Sequence, residues 1–309
     1  MPPQVEVIGD ALLDVNVTPS TPVRPGACIP AAVRLEPGGQ GANLAVRLAR
    51  RGVGVRLTCA LGDDTAGTML RNAIAADGVD LRPIPVEATG SVVVLLGPDG
   101  ERTMLSQRVP LVERLERLER LERLDTSTAD AEWLVVSGYL LLEPAASRLV
   151  GWATLPERRV VIGCAIEPAQ AGSWISACRA LRPTLLVLNH EEASVLADQQ
   201  TEAGSLGGRL AGELDAVVVV TDWRGATAAV GERVTRVDAP EGEPATDTTG
   251  AGDAFAAALI ADLLTEPWPP AHEALERALA SASRLASAVA RTPGAQGLVA
   301  GERAATLGA

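Results

Sequence analysis

Lysine is absent from the 309 residues; all 27 basic side chains are arginine. A pyridoxal Schiff base, a class I aldolase, a Walker A phosphate clamp and the strand lysine of a protein kinase all need an ammonium side chain, so those chemistries are excluded. Aromatics are nearly missing too, with five Trp plus Tyr139 and Phe255, which leaves no interleaved platform for stacking single-stranded bases. Acidic residues number 39 and the formal charge is −12, with the arginines scattered along the chain. Such a surface repels phosphate backbones, and no nucleic-acid partner is expected. The four cysteines, Cys28, Cys59, Cys164 and Cys178, form no CxxC pair, so neither a zinc site nor a disulfide framework is expected. No apolar run approaches the roughly 18 to 20 residues that cross a bilayer, and MPPQVEVIGD has no basic region ahead of an apolar one. The expectation is a soluble cytoplasmic protein with no membrane association.

What remains is 47% hydrophobic and 21% charged, enough for one α/β domain over residues 1–309 whose core is Ala, Val and Leu. Short β-branched runs read as strands at Val5–Gly9, Val53–Ala60, Trp133–Ser137, Val160–Cys164, Thr184–Asn189 and Ala216–Thr221. Helical spacing of apolar residues lies between them, over Ala42–Ala49, Ala251–Leu264 and His272–Ala290. This alternation predicts a doubly wound, mostly parallel sheet. Two stretches, about 11–37 and 86–109, break the rhythm and read as a small accessory sheet, with Ser91–Leu96 and Arg102–Leu105 flanking a Pro-Asp-Gly turn. From Glu113 to Leu124 the triplet Glu-Arg-Leu repeats four times. Each step of three turns a helix by about 300°, so the leucines drift round it, and i,i+4 Glu/Arg pairs supply roughly 0.2 to 0.5 kcal/mol each. That predicts a solvated surface helix.

Asp247-Thr248-Thr249-Gly250-Ala251-Gly252-Asp253 immediately precedes an apolar helix. Gly250, Ala251 and Gly252 put unobstructed N–H groups at a helix N-terminus, where the dipole also favours an anion. Asp253 falls in the first turn, where that field is expected to keep it ionised and ready to accept a proton. A glycine turn with a capping aspartate would give the same letters. Gly38-Gly39-Gln40-Gly41-Ala42-Asn43 opens another helix, with glycines that admit a close neighbour and an amide one turn in.

Together, and in this order, the two runs resemble the paired signatures of the ribokinase-like (PfkB) carbohydrate kinases. The likeness extends through Gly9-Asp10-Ala11-Leu12-Leu13-Asp14, Leu61-Gly62-Asp63-Asp64, Ser137-Gly138-Tyr139 and Asn189-His190-Glu191-Glu192. It implies a ribokinase-like α/β fold with a small β lid, and ATP-dependent phosphorylation of a sugar hydroxyl. By resemblance Asp253 is the base and Gly250 to Gly252 the anion pocket, while Asp14, Gly38, Gly39, Gln40 and Asn43 hold the acceptor. Asn189, Thr221, Gly225 and Thr248 fall to the nucleotide, and Asn189 with Glu192 to Mg²⁺ through water. The spacing of that last pair is physically sensible, since a strand-end Asn and a Glu one helical turn on can point at one site, although such a pair also caps a helix. Thr292 to Leu298 resembles a loop that helps hold a monovalent cation, with Asp247 the candidate ligand. Leu298 stands where ribokinases offer a serine oxygen, which weakens the case for K⁺. Lids of the family pair across a homodimer, which is expected here.

Three departures bear on specificity. Gln40 stands where ribokinases carry lysine, so a phosphosugar would need an arginine such as Arg102 or Arg108. Val109-Pro110-Leu111 replaces a Gly-Ala-Asn run, and Thr221-Asp222-Trp223-Arg224-Gly225 places tryptophan near an expected glycine. A nucleoside acceptor, and a sugar- or nucleotide-binding protein with weak catalysis, are the alternatives. A dinucleotide oxidoreductase is disfavoured because the first strand lacks a Gly-x-Gly-x-x-Gly turn. His190 and His272 read as a helix-start and a surface residue without a catalytic part.

Overall fold

The computed structural model describes residues 3–97, 102–115, 131–151, 158–198, 202–242, 245–292, 294–299 and 302. In chain order the strands are β1 (Val5–Ile8), β2 (Leu12–Pro19), β3 (Ala31–Gly38), β4 (Val55–Gly62), β5 (Asp80–Val86), β6 (Ser91–Leu96) and β7 (Arg102–Gln107). They continue with β8 (Trp133–Ser137), β9 (Arg158–Ile162), β10 (Leu185–Asn189), β11 (Val217–Asp222), β12 (Gly225–Val230) and β13 (Arg233–Asp238). The α-helices are α1 (Gln40–Arg50), α2 (Thr65–Ala76), α3 (Ala171–Leu181), α4 (His190–Ala197), α5 (Ala203–Leu214), α6 (Ala251–Leu263) and α7 (His272–Val289).

Nine strands form one sheet in the order β13-β12-β11-β10-β9-β8-β1-β4-β5. All its neighbours run parallel except the β11–β12–β13 hairpins. Uninterrupted apolar runs such as Val217–Val220 and Leu185–Leu188 suit this sheet, because central strands are covered on both faces. One face packs on α1, α6 and α7 through Val5, Val7, Val219, Leu44, Phe255 and Leu279. The other packs on α3, α4 and α5 through Ile8, Val136, Val218, Trp174, Ala193 and Leu206. With so few aromatics, close approach comes from small residues: Ala254, Ala256, Ala257 and Ala258 of α6 are all buried.

From β1 the chain winds to β4 and β5 on one side, and from β8 to β13 on the other. The reversal between β1 and β8 leaves a crevice beyond their carboxyl ends, the place where open α/β sheets hold ligands. Most expected strands match within two residues. β5 escaped notice because it contains Pro83 and Pro85, which an edge strand tolerates, and it pairs only with β4.

A second sheet, ordered β3-β2-β6-β7, occupies the two stretches that broke the pattern. Its register aligns Leu35, Val15, Val93 and Leu105, then Val33, Val17 and Leu95, on one face. Asp14, Asn16 and Glu36 line up on the opposite face. Of the Glu-Arg-Leu repeat only the start is described, residues 116–124 lying outside the described range. Leu111, Val112 and Leu115 are buried, and the Glu143 carboxylate accepts the N–H groups of Leu111 and Val112. That departs from a wholly solvated helix, because Leu115 packs in the core beside Leu111 and Val112.

Candidate active site

Gly250 takes φ +75°, a left-handed conformation that favours glycine, and turns the chain into α6. A Cβ there would also lie 2.8 Å from the Ala295 carbonyl oxygen, so the turn is backed by the 294–297 loop. A Cβ on Gly252 would meet only open space, while the Ala251 N–H donates to the Thr248 carbonyl at 3.2 Å. Asp253 Oδ2 accepts from Asn43 Nδ2 at 2.9 Å, and Asn43 Oδ1 in turn accepts from Gln296 Nε2 at 3.0 Å. The signature runs of α1 and α6 thus meet. Burial pushes the Asp253 carboxyl up to about 7, reinforced by Asp10 and Asp14 and opposed by the Asn43 hydrogen bond and Arg47. This corrects the expectation of a fully ionised aspartate: burial outweighs the helix field. A carboxyl poised near neutrality is suited to general-base work.

On the small sheet, Asp14 lies against Gly38, where a Cβ would come within 2.1 Å of the carboxylate. Its carboxyl is pushed to about 7 by burial, with Asp10 and Glu36 adding to the shift and Arg108 opposing it. Gly39 at φ +95° brings the start of α1 against the backbone of Asp10 and Leu12. Gln40 donates Nε2 to the Gly163 carbonyl at 2.7 Å and accepts at Oε1 from the Gly138 N–H at 3.1 Å. Ser137 Oγ stands 2.7 Å from Gln40 Oε1 and 3.2 Å from Asp10 Oδ1, its one proton serving either. Gln40 therefore ties α1 to the ends of β8 and β9. Asn43 holds Asp253 and Gln296, with a second N–H left for a ligand by its chemistry.

Sequence reasoning gave no part to Asp10 or Ser137, though both sit in runs already singled out at strand ends. Arg108 Nη1 pairs with Asp10 Oδ2, and the guanidinium stacks 3.4 Å from the Tyr139 ring centroid. Asp10, Arg108, Tyr139, Gly9 and Glu143 line a cavity of about 90 Å³. Arg102 was the other arginine considered, and its side chain lies outside the described residues.

Beyond β10 and β11 opens a cleft of about 950 Å³ lined by Asn189, His190, Thr221, Asp222, Trp223 and Arg224 among others. It shares no lining residue with the smaller cavity. Trp223, 82% exposed, tips the β11–β12 hairpin with Arg224 4.7 Å from its ring centroid. Gly225 closes that hairpin at φ +142°, where a Cβ would strike the Val237 carbonyl oxygen at 2.1 Å. Asn189 Oδ1 accepts the Glu192 N–H at 2.8 Å and Glu192 Oε2 accepts the Asn189 N–H at 2.9 Å, a reciprocal cap on α4. Glu192 lies against Gly163 and is pushed up to about 7 by burial and by Glu191, opposed by its hydrogen bond from the Asn189 N–H. Such a carboxylate suits an external hard cation, although among the described residues no group of three or more His, Cys, Asp or Glu could hold a metal. Asp247 accepts from the N–H groups of Thr249 and Gly294, and the Thr248 carbonyl accepts from Ala251, so both brace the turn. His190 begins α4 as expected, and His272, exposed on α7, sits 2.9 Å from Thr235 Oγ1.

Residues 2–300 match the model of the pfkB family carbohydrate kinases. The chain belongs to the pfkB family. This pfkB chain is 29% identical to a fructokinase of Salmonella typhimurium and 27% to a ribokinase of Bacillus subtilis, each covering 94% of both chains. In fold, the pfkB chain resembles the ribokinase of Thermotoga maritima, with TM-score 0.76, 19% identity and 95% of each chain covered. It likewise resembles the adenosine kinase of Sinorhizobium meliloti, with TM-score 0.76, 20% identity and 97% of each chain covered. A ribokinase of Cryptococcus neoformans solved with ADP matches in fold at TM-score 0.72, with 22% identity and 96% of each chain covered.

Proposed function

We propose that this protein transfers the γ-phosphoryl group of MgATP to a hydroxyl of a small free sugar, as a ribokinase- or fructokinase-like kinase. One observation carries the reading: a half-buried carboxyl pushed up to about 7, Asp253, held by Asn43 in the first turn of a helix that a left-handed glycine opens, with free space at Gly252. Bound MgATP supplies the phosphoryl group and the cation that neutralises its charge. Asp253 takes the proton of the attacking hydroxyl. The N–H groups of Gly250 and Gly252 receive negative charge on the transferring group, at a turn braced by Asp247, by the Ala251 N–H on Thr248 and by Ala295. Asp14 and the second N–H of Asn43 bind acceptor hydroxyls, while Gly38 and Gly39 let Asp14 and the Asp10–Leu12 backbone close against the start of α1 beside the acceptor. Gln40 locks the floor of the site through its bonds to Gly138 and Gly163.

On the nucleotide side, Thr221 and Asn189 border the large cleft, Gly225 closes the hairpin beside it, and Trp223 offers a stacking face. Asn189 and Glu192 would hold Mg²⁺ through water, as expected of a cation that retains its hydration. A monovalent cation at Asp247 would compete with the two N–H donors its carboxylate already serves. In this reading residues 1–309 form one kinase domain, the small sheet is its lid, and a supply of ATP places it in the cytoplasm. The lid's apolar face, with Val33 57%, Leu35 53% and Leu105 59% exposed, supports a homodimer in which two such faces cover one another.

The test is ATP consumption against D-ribose, D-fructose, their monophosphates and adenosine. A free sugar is expected to give ATP-dependent phosphorylated product. Turnover of adenosine alone, or of none of them, would contradict the reading.

A further inference from the structure

The acceptor side of the site is crowded with carboxylates. Asp10 and Asp14 raise the proton affinity of Asp253, and Asp10 and Glu36 raise that of Asp14. Glu143 lines the inner cavity, its oxygens occupied by two backbone N–H groups. Among the described residues, the one cation lining that cavity is Arg108. It is already spent: Nη1 pairs with Asp10 Oδ2, and the guanidinium plane rests on Tyr139. Asp10 is itself fixed from the other side by Ser137, at the end of β8.

We propose that the Asp10/Arg108 pair, stacked on Tyr139, is a specificity device that keeps the acceptor site for uncharged sugars by withholding the arginine that lines its inner cavity from an anionic acceptor. A phosphate or carboxylate entering the site meets Asp10, Asp14 and Asp253 and must break the Asp10/Arg108 pair to reach that arginine. A hydroxyl meets acceptors that suit it as they stand. Discrimination here comes from the repulsive element rather than from an added attraction. Asp10 is then the residue that decides it, and its neutralisation releases Arg108. The proposal rests on the sugar-kinase reading, and the experiment separates the two.

Calorimetric binding of D-ribose, D-fructose and their monophosphates to wild type, Asp10→Asn, Arg108→Gln and the double variant tests it, with melting temperatures as the check on folding. Wild type is expected to bind the free sugar at least tenfold more tightly than its phosphate. Asp10→Asn should tighten phosphate-sugar binding ten- to a hundredfold, the range of one charge-assisted hydrogen bond, and the double variant should lose that gain. A folded Asp10→Asn protein whose phosphate-sugar affinity stays within threefold of wild type overturns the proposal while leaving the kinase reading intact. So does a tenfold loss of phosphate-sugar affinity in Arg108→Gln alone, a test that stands even where Asp10→Asn does not fold. Failure of wild type to bind any of the sugars overturns both.

Discussion

At the scale of single residues, three carboxyls share one fate: burial raises Asp14, Glu192 and Asp253 each to about 7. The consequences for rate and for stability run in opposite directions. Asp253 must be unprotonated to accept a proton, so kcat should rise with pH through about 7. The folded state holds these protons more tightly than the unfolded chain, where the ordinary values are 3.8 for Asp and 4.5 for Glu. Their stabilising contribution is therefore complete below those values and is lost as pH climbs through about 7. Melting temperature should fall between pH 5 and pH 8 while kcat climbs, and Asp253→Asn should flatten its share of that melting profile. Calorimetric scans beside initial rates check both signs. Arg47 shows a buried charge of another kind. It is fully buried on α1, donating to the Ala295 carbonyl at 2.8 Å and to Glu302 at 2.5 Å. Arg47→Met should cost about 3 to 5 kcal/mol in denaturant unfolding, because among the described residues the buried Glu302 carboxylate then keeps the Val299 N–H at 3.4 Å and Arg50 at 4.0 Å in place of its close ion pair. Glu302→Gln in the same chain should recover part of that loss.

Among the elements, α4 is where two readings of the same letters meet. Asn189 and Glu192 cap it reciprocally, and the half-buried carboxylate is pushed up to about 7 by burial. In Glu192→Gln, the amide oxygen still accepts the Asn189 N–H, so α4 should persist. The Mg²⁺ concentration for half-maximal rate should nevertheless rise severalfold. An unchanged Mg²⁺ dependence would leave the pair as a cap alone. The legibility of elements followed the physics that writes them. Strands buried on both faces, such as β8 and β11, announce themselves as Val/Leu runs, and α6 and α7 are readable to within a residue of their ends. β5 hid behind its prolines, and α3 to α5 behind helical patterns that were not separated from the intervening loops. In the site, the Gly250 turn was readable because a left-handed backbone favours glycine, while Asn43 and Asp253 stood out only through the resemblance of the runs that carry them. The Asp10/Arg108 pair was not, because it joins residues 98 positions apart, which only the folded small sheet brings together.

Taken whole, the molecule is a buried α/β body carrying a small sheet with one polar and one apolar face. The polar face, with Asp14, Asn16 and Glu36, belongs to the acceptor site in the proposed reading. The apolar face is a contiguous set of branched side chains that water does not favour. Val33→Asp with Leu35→Asp should therefore convert a dimer to a monomer in sedimentation, with the main sheet's fold retained. A wild-type monomer at micromolar concentration would remove the proposed interface. The central claim is that Asp253 is a base and not merely a first-turn residue of α6. Its most direct test is the single-turnover rate of Asp253→Asn with saturating MgATP and the accepted sugar. The amide keeps the side chain's size and its contact with Asn43 while removing its ability to take a proton. The account predicts a fall of roughly 10²- to 10⁴-fold with both ligands still bound and the melting temperature little changed. A variant that keeps more than about a tenth of the wild-type single-turnover rate would contradict it.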